Sequence, residues 1–226
     1  MSSYYPESKV ETKGFMARHY DAILDILTFG RYPLMIKKCI KLMGIKPTDK
    51  ILDLGTGTGR NAYLMMHYLS QKGKLIGIDI SWEMISQFKK KCAEFPNAKI
   101  IKARVDKSLP FREKFDKVFI CFVLHGFPHA VREIIIKNVF NLLKDDGTFF
   151  ILDYNEFSLE EAPFYLTVFL KFIECPYAID FIQRNWKGIL AKERFNHFKE
   201  YFFFGKYVRM LKATKTNAIF KKWIYK

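Results

Sequence analysis

The residues Asp53-Leu54-Gly55-Thr56-Gly57-Thr58-Gly59-Arg60 place three glycines at alternate positions directly after a short apolar run, Ile51 to Leu54. An apolar run that feeds straight into glycines reads as a buried strand breaking into a tight turn. Glycine is required there because the backbone must turn sharply and let a ligand approach with no Cβ in between. Twenty residues beyond Gly59, a second run, Lys74 to Ile78, ends on Asp79. Strand, glycine turn, helix, strand and terminal carboxylate make up the nucleotide crevice of an open α/β sheet, the acid accepting hydrogen bonds from a ribose diol.

The rest of the chain repeats the alternation. Ala98–Ala103, Phe115–Cys121 and Thr148–Asp153 read as strands three to five. Helices are expected from Gly59 to about Ser70, from a Ser81 cap through Phe88, and from about Ala130 to Leu143, with Lys144-Asp145-Asp146-Gly147 as the turn into strand five. This spacing predicts a parallel, doubly wound sheet. Two amphipathic helices, Gly14 to Phe29 and Pro33 to about Met43, come before the first strand and suggest a cap. After strand five, Ser158-Leu159-Glu160-Glu161 has the form of a capping box opening a helix with Phe164, Tyr165, Phe169 and Phe172. Phe198–Phe204, Gly205 and Lys206–Thr214 read as a closing β-hairpin, which a dinucleotide fold lacks. The expected division is a helical cap over residues 1–44 and one unit over 45–226, with an insertion at about 158–197 lining an acceptor pocket.

With 226 residues, half of them hydrophobic, the chain can bury a full core. No apolar run approaches the roughly 18 residues of a membrane span, and residues 1–7 lack the build of a secretory signal. Cys39, Cys92, Cys121 and Cys175 form no C-x-x-C pair and fit single thiols in a reducing, cytoplasmic setting. No cluster has metal-ligand spacing, so no metal is expected. The net charge is +15, and residues 186–226 hold eleven Lys and Arg against Glu193 and Glu200 alone. Such a surface suits anionic membrane, nucleic acid or acidic metabolites, and equally a plain lysine-rich solvated face.

Two cofactors fit the glycine turn. Gly57 to Ala62 matches the dinucleotide pattern G-x-G-x-x-A. The fuller stretch Asp53-x-Gly55-x-Gly57-x-Gly59 resembles the first motif of the class I S-adenosylmethionine (SAM) methyltransferases. The likeness continues in Leu109-Pro110-Phe111, Phe115-Asp116-x-Val118 and Leu142-Leu143-Lys144-x-x-Gly147. Upstream, Ala17-Arg18-His19-Tyr20-Asp21 and Phe29-Gly30 are similar to the ubiquinone/menaquinone-biosynthesis C-methyltransferases. The resemblance implies a Rossmann-like class I methyltransferase fold with a seven-stranded sheet, SAM as cofactor and S-adenosylhomocysteine as product. The chain departs from the quinone enzymes at His125-Gly126, where they have Arg-Asn, and at Asp153-Tyr154, where they have Glu-Phe.

On that resemblance, cofactor-binding residues are Tyr20, Asp53, Gly55, Thr56, Gly57, Gly59, Asp79, Ile80, Val105, Asp106 and Cys121. Gly55, Gly57 and Gly59 would line the methionine and ribose portion, Asp53 would fix the turn and the ammonium end, and Asp79 would bind the ribose diol. Val105 stands where the family has an acid or amide, and Asp106, one place later, is the candidate acceptor for the adenine amine. Tyr20 would close over the cofactor carboxylate. His125, just past strand four, is the candidate base, since an unperturbed imidazole suits taking a proton from a phenol or enol near neutral pH. A purely structural loop histidine fits the same position. The acceptor is expected to be small or lipid-like, such as a prenylated quinol, with peripheral contact to anionic membrane at its inner face. An RNA methyltransferase and a SAM-binding domain without catalysis stay open as alternatives.

Overall fold

The computed structural model describes residues 19–216, apart from the side chains of Tyr20 and Leu27. The expected fraying of residues 1–9, the start of the first helix and the last basic residues lie outside the described residues. Five strands run parallel: β1 (Lys50–Leu54), β2 (Lys74–Asp79), β3 (Ala98–Lys102), β4 (Phe115–Cys121) and β5 (Leu143–Tyr154). The chain closes with β6 (Phe195–Phe203) and β7 (Val208–Lys215), which pair antiparallel with each other, β7 also pairing antiparallel with β5. The seven-stranded order is β3-β2-β1-β4-β5-β7-β6. Strand order reverses between β1 and β4, and there the carboxyl ends of the strands open a crevice.

Side chains alternate across the pleat and feed two cores. Leu52 and Leu54 of β1 face one cluster and Ile51 the other. The first is covered by α5 (His129–Leu142), α7 (Pro176–Ile182) and α8 (Trp186–Lys192), through residues such as Ile135, Val139, Phe181 and Trp186. The second is covered by α2 (Arg31–Leu42), α3 (Arg60–Met66) and α4 (Trp82–Lys91). Ile36, Cys39 and Ile40 of α2 are fully buried beneath the sheet. Of the expected cap of residues 1–44, α1 (Tyr20–Leu27) sits at the crevice, while α2 packs into the sheet's own core and brings Arg31 and Tyr32 of its first turn to the crevice. All four cysteines are buried and unpaired.

Three local expectations are corrected. The helix after Gly59 ends at Met66, not Ser70, because Ser70 turns its N–H and hydroxyl to the Pro47 carbonyl. Residues 144–147 are no free turn: pairing runs from Phe115↔Leu143 to Lys117↔Thr148, and they bulge out within β5 with Asp146 at φ 63°. Ser158 opens no helix. Its hydroxyl accepts from the Glu160 N–H at 3.2 Å, and α6 (Phe164–Val168) begins only after Pro163, whose ring disfavours helical dihedrals at Ala162. One π-turn, Phe169–Ile173, follows α6.

Candidate active site

A cavity of about 840 Å³ opens where the carboxyl ends of β1, β2, β4 and β5 meet. One half is built from the glycine loop and the end of β2. Gly57 lines it with φ 58°, and a Cβ there would meet nothing within 4 Å, so this backbone faces open space. Its N–H donates to Asp79 Oδ2 at 2.9 Å, while the Ser81 N–H donates to Asp79 Oδ1 at 2.9 Å. Burial raises the Asp79 pKa, and the backbone N–H donors pull it back. A carboxylate clamped by two amides at a strand end, beside exposed glycine backbone, is the arrangement that receives a ribose diol. The cradle therefore fits a nucleoside-bearing cofactor.

Of the other residues singled out in the sequence, Gly55, Thr56, Ile80, Val105, Asp106, Cys121 and His125 also line the cavity. Asp53 and Gly59 do not. Asp53 is 1% exposed and accepts from the Thr56 hydroxyl at 2.6 Å, so it shapes the turn from behind. Burial lifts its pKa to about 7, opposed by the Thr56 hydrogen bond and aided by the Asp79 charge. Gly59 packs against α4: a Cβ at φ 81° would come within 2.8 Å of Phe88 Cδ2. It permits close helix packing. Asp106 is buried and receives Arg104 Nε at 2.9 Å, so the oxygens lent by resemblance to the adenine amine already serve a guanidinium. The Tyr20 side chain lies outside the described residues.

The other half of the cavity is aromatic and holds one histidine. His125 sits in the 3₁₀ turn Leu124–Gly126 just beyond β4, 7% exposed. Its Nδ1 lies 2.7 Å from Asp153 Oδ1 and its Nε2 lies 3.6 Å from Glu174 Oε1. Burial alone would depress the imidazole, but the Asp153 charge and hydrogen bond, with Glu174, outweigh it and raise the pKa to about 10. At neutral pH His125 is a cation. The unperturbed pKa expected of a general base is thus corrected: two carboxylates hold its proton. Tyr154 donates its hydroxyl to Glu174 Oε2 at 2.6 Å, and its ring centroid is 5.0 Å from that of His125.

Arg132 of α5, with no exposed surface, pins the turn from behind. It donates to the carbonyls of Leu124 (3.2 Å), His125 (3.0 Å) and Tyr177 (2.6 Å), and to Asp180 at 2.6 Å. Sequence reasoning missed Glu174, Asp153 as a partner, and Arg132. Glu174 is one acid in an aromatic stretch without a motif, but Asp153, closing strand five as Asp79 closes strand two, carried a usable signal. His125, Glu174 and Cys175 also bring ligand-type atoms within 4.8 Å of one another, a grouping the scattered spacing did not reveal. Each atom has a protein partner, Cys175 Sγ donating to the His125 carbonyl at 3.9 Å.

A sheet of this order with an antiparallel closing hairpin, a glycine cradle and a strand-end acid defines a Rossmann-like class I methyltransferase, whose cofactor is SAM. Residues 45–197, more than half of the chain, match the family described as "Methyltransferase domain", and the chain belongs to that family. It is 28% identical over 141 residues to the ubiquinone/menaquinone biosynthesis C-methyltransferase UbiE of Wigglesworthia glossinidia brevipalpis, covering 61% of this chain and 55% of that protein. It is 27% identical over 159 residues to a demethylmenaquinone methyltransferase of Staphylococcus aureus, covering 70% and 65%. The match thus spans 55% and 65% of the length of these two relatives. A SAM-dependent methyltransferase from Aquifex aeolicus shares the fold at a TM-score of 0.60 and 20% identity, over 79% of this chain and 88% of that one.

Proposed function

We propose that the domain transfers the methyl group of SAM to an apolar small acceptor that carries an oxygen beside its reactive carbon, a prenylated quinol being the leading class. The observation that carries this reading is a buried imidazolium, His125, in an aromatic chamber continuous with the Gly57–Asp79 cradle. The names of the relatives, one a ubiquinone/menaquinone biosynthesis C-methyltransferase and the other a demethylmenaquinone methyltransferase, support the same acceptor class.

When bound, SAM supplies an electrophilic methyl on a sulfonium. Gly57 and Asp79 hold the nucleoside end. Phe122, Phe127, Tyr154 and Phe169 line the acceptor side and exclude water, which strengthens every charge interaction there. The 3.6 Å between His125 Nε2 and Glu174 is longer than a good hydrogen bond, so an acceptor oxygen brought to Nε2 gains the better contact. The imidazolium, locked in place by Asp153, then donates to that oxygen and stabilises the negative charge that makes the neighbouring carbon nucleophilic. His125 acts as an electrostatic partner to an acceptor that binds with its oxygen already ionised, and the proton on the methylated carbon is lost to solvent once the product has left the chamber.

Calorimetric titration of SAM, S-adenosylhomocysteine and NAD into wild-type protein and Asp79→Ala tests the cofactor half. The expected result is binding of the first two, weakened at least tenfold in the variant, as loss of a charged hydrogen-bond partner of about 1.5–3 kcal/mol requires. Binding of NAD alone would overturn it.

A further inference from the structure

Three separate stretches hold large apolar side chains in water around the mouth of the cavity. Phe29 after α1 (93% exposed), Tyr165 of α6 (72%) and Phe204 of the β6–β7 turn (37%) all line it. Leu34, Phe164 and Phe172, close to them along the chain, are exposed as well. Scattered single apolar residues need no explanation, but a ring of them around one opening marks a partner surface. Cations interleave with the ring. Arg31 and Lys206 are exposed beside Phe29 and Phe204, and Lys38 stands 5.8 Å over the ring of Phe203. The acids of the mouth are engaged: Asp21 and Asp25 by Arg60 and Lys91, Glu174 by His125 and Tyr154.

The basic stretch 186–226 contributes Phe204 and Lys206 to this rim, but the rest of it is a poorer candidate for such a surface. Among its described residues, Arg209 is buried between Glu156 and Glu200, and Lys187 also pairs with Glu200. No helix among the described residues is long and apolar enough to cross a membrane. Aromatic rings mixed with exposed cations, on a chain of net charge +15, suit the plane of an anionic lipid headgroup layer.

We propose that this rim is a membrane-docking face, which seats the cavity mouth on an anionic lipid surface so that a lipid-like acceptor enters without crossing water. The inference rests on the acceptor reading above. A second copy of the chain on the same rim would seal the mouth, so lipid is the occupant the geometry favours.

Phe164 and Phe172 are exposed one and three residues from the cavity-lining Tyr165 and Phe169 but do not line the cavity themselves, so Phe164→Ser/Phe172→Ser should weaken docking and leave cofactor binding intact. The full chain is sedimented with vesicles of phosphatidylcholine, with and without phosphatidylglycerol, no acceptor being present. The wild type should pellet with the anionic vesicles, and the double variant should partition about tenfold less while binding SAM as the wild type does. Wild-type protein left in the supernatant, or a variant that pellets equally, would overturn the docking face. Equal pelleting on neutral vesicles would overturn its anionic part. A wild-type dimer in sedimentation velocity that the variant dissolves would assign the rim to a second copy and overturn the lipid reading. Failure of SAM to bind the wild type would instead strike the proposed function.

Discussion

Carboxylates at both nitrogens of His125 set the direction of its pH dependence. The folded pKa of about 10 lies above the ordinary 6.5, so the proton is bound more tightly in the folded chain. Its contribution to stability is complete below about pH 6.5 and is lost as pH rises through about 10. The gap in melting temperature between wild type and His125→Asn should be widest at pH 6 and close above pH 10. Activity should follow the same group. An imidazolium that stabilises an oxyanion keeps turnover level through neutrality and loses it near pH 10, whereas a general base would switch turnover on between about pH 6 and 7. Removing such a donor costs about 10²–10³ in kcat, so His125→Asn should fall by that factor. A wild-type profile rising through pH 6.5 would return His125 to the role of base. The position of His125 was legible in the sequence because it follows a strand end; its charge was not. Charge depends on Glu174 and Asp153, which only the folded chain brings to it.

At the scale of elements, α1 is fastened to the cofactor loop by ions. Thr58 donates its hydroxyl to Asp21 Oδ2 at 2.9 Å, Lys91 Nζ also meets Asp21, and Arg60 forks onto Asp25 at 2.6 and 2.9 Å. Thr58 and Arg60 frame the third glycine of the motif, so the helix that borders the cavity is tied to the residues that shape it. Asp21→Asn/Asp25→Asn should loosen this edge. Half-exposed pairs contribute about 0.5–1 kcal/mol each, so the dissociation constant for SAM should rise roughly 5- to 30-fold, mostly through faster release. Stopped-flow release with an unchanged rate would mean that α1 merely rests on the loop. Most elements were legible, because an apolar run of five to seven residues bounded by glycine or acid has few other fates: β1, β2 and β4 fall on the residues read from their patterns. Where the reading failed, a longer-range partner decided. Pro47 ends α3, the β4 ladder draws Leu143 into β5, and Pro163 delays α6. Asp53 and Gly59 were read as ligand contacts because a motif does not say which of its members face inward.

In the whole molecule the cavity is a joint between four parts: the parallel sheet supplies Gly57 and Asp79, the N-terminal segment supplies Asp21 and Phe29, the segment between β5 and β6 supplies Tyr165 and Glu174, and the β6–β7 turn supplies Phe204. A cofactor seated there touches elements from both sheet faces, so its binding energy should appear as stability of the entire fold. At about 100 times its dissociation constant a ligand that binds only the folded state adds about 2.7 kcal/mol. For a chain of this length each kcal/mol shifts Tm by roughly 2–4 °C, so S-adenosylhomocysteine at that concentration should raise Tm by about 5–11 °C in one cooperative transition. NAD at the same concentration should leave it unmoved. A second, unshifted transition would show that the sheet and the segments around it unfold apart, and that the cavity is not the joint the contacts describe. A shift with NAD in place of the homocysteine product would keep the sheet and reassign its cradle, since both ligands present a ribose to Asp79 but only one carries a second nucleotide past Gly57.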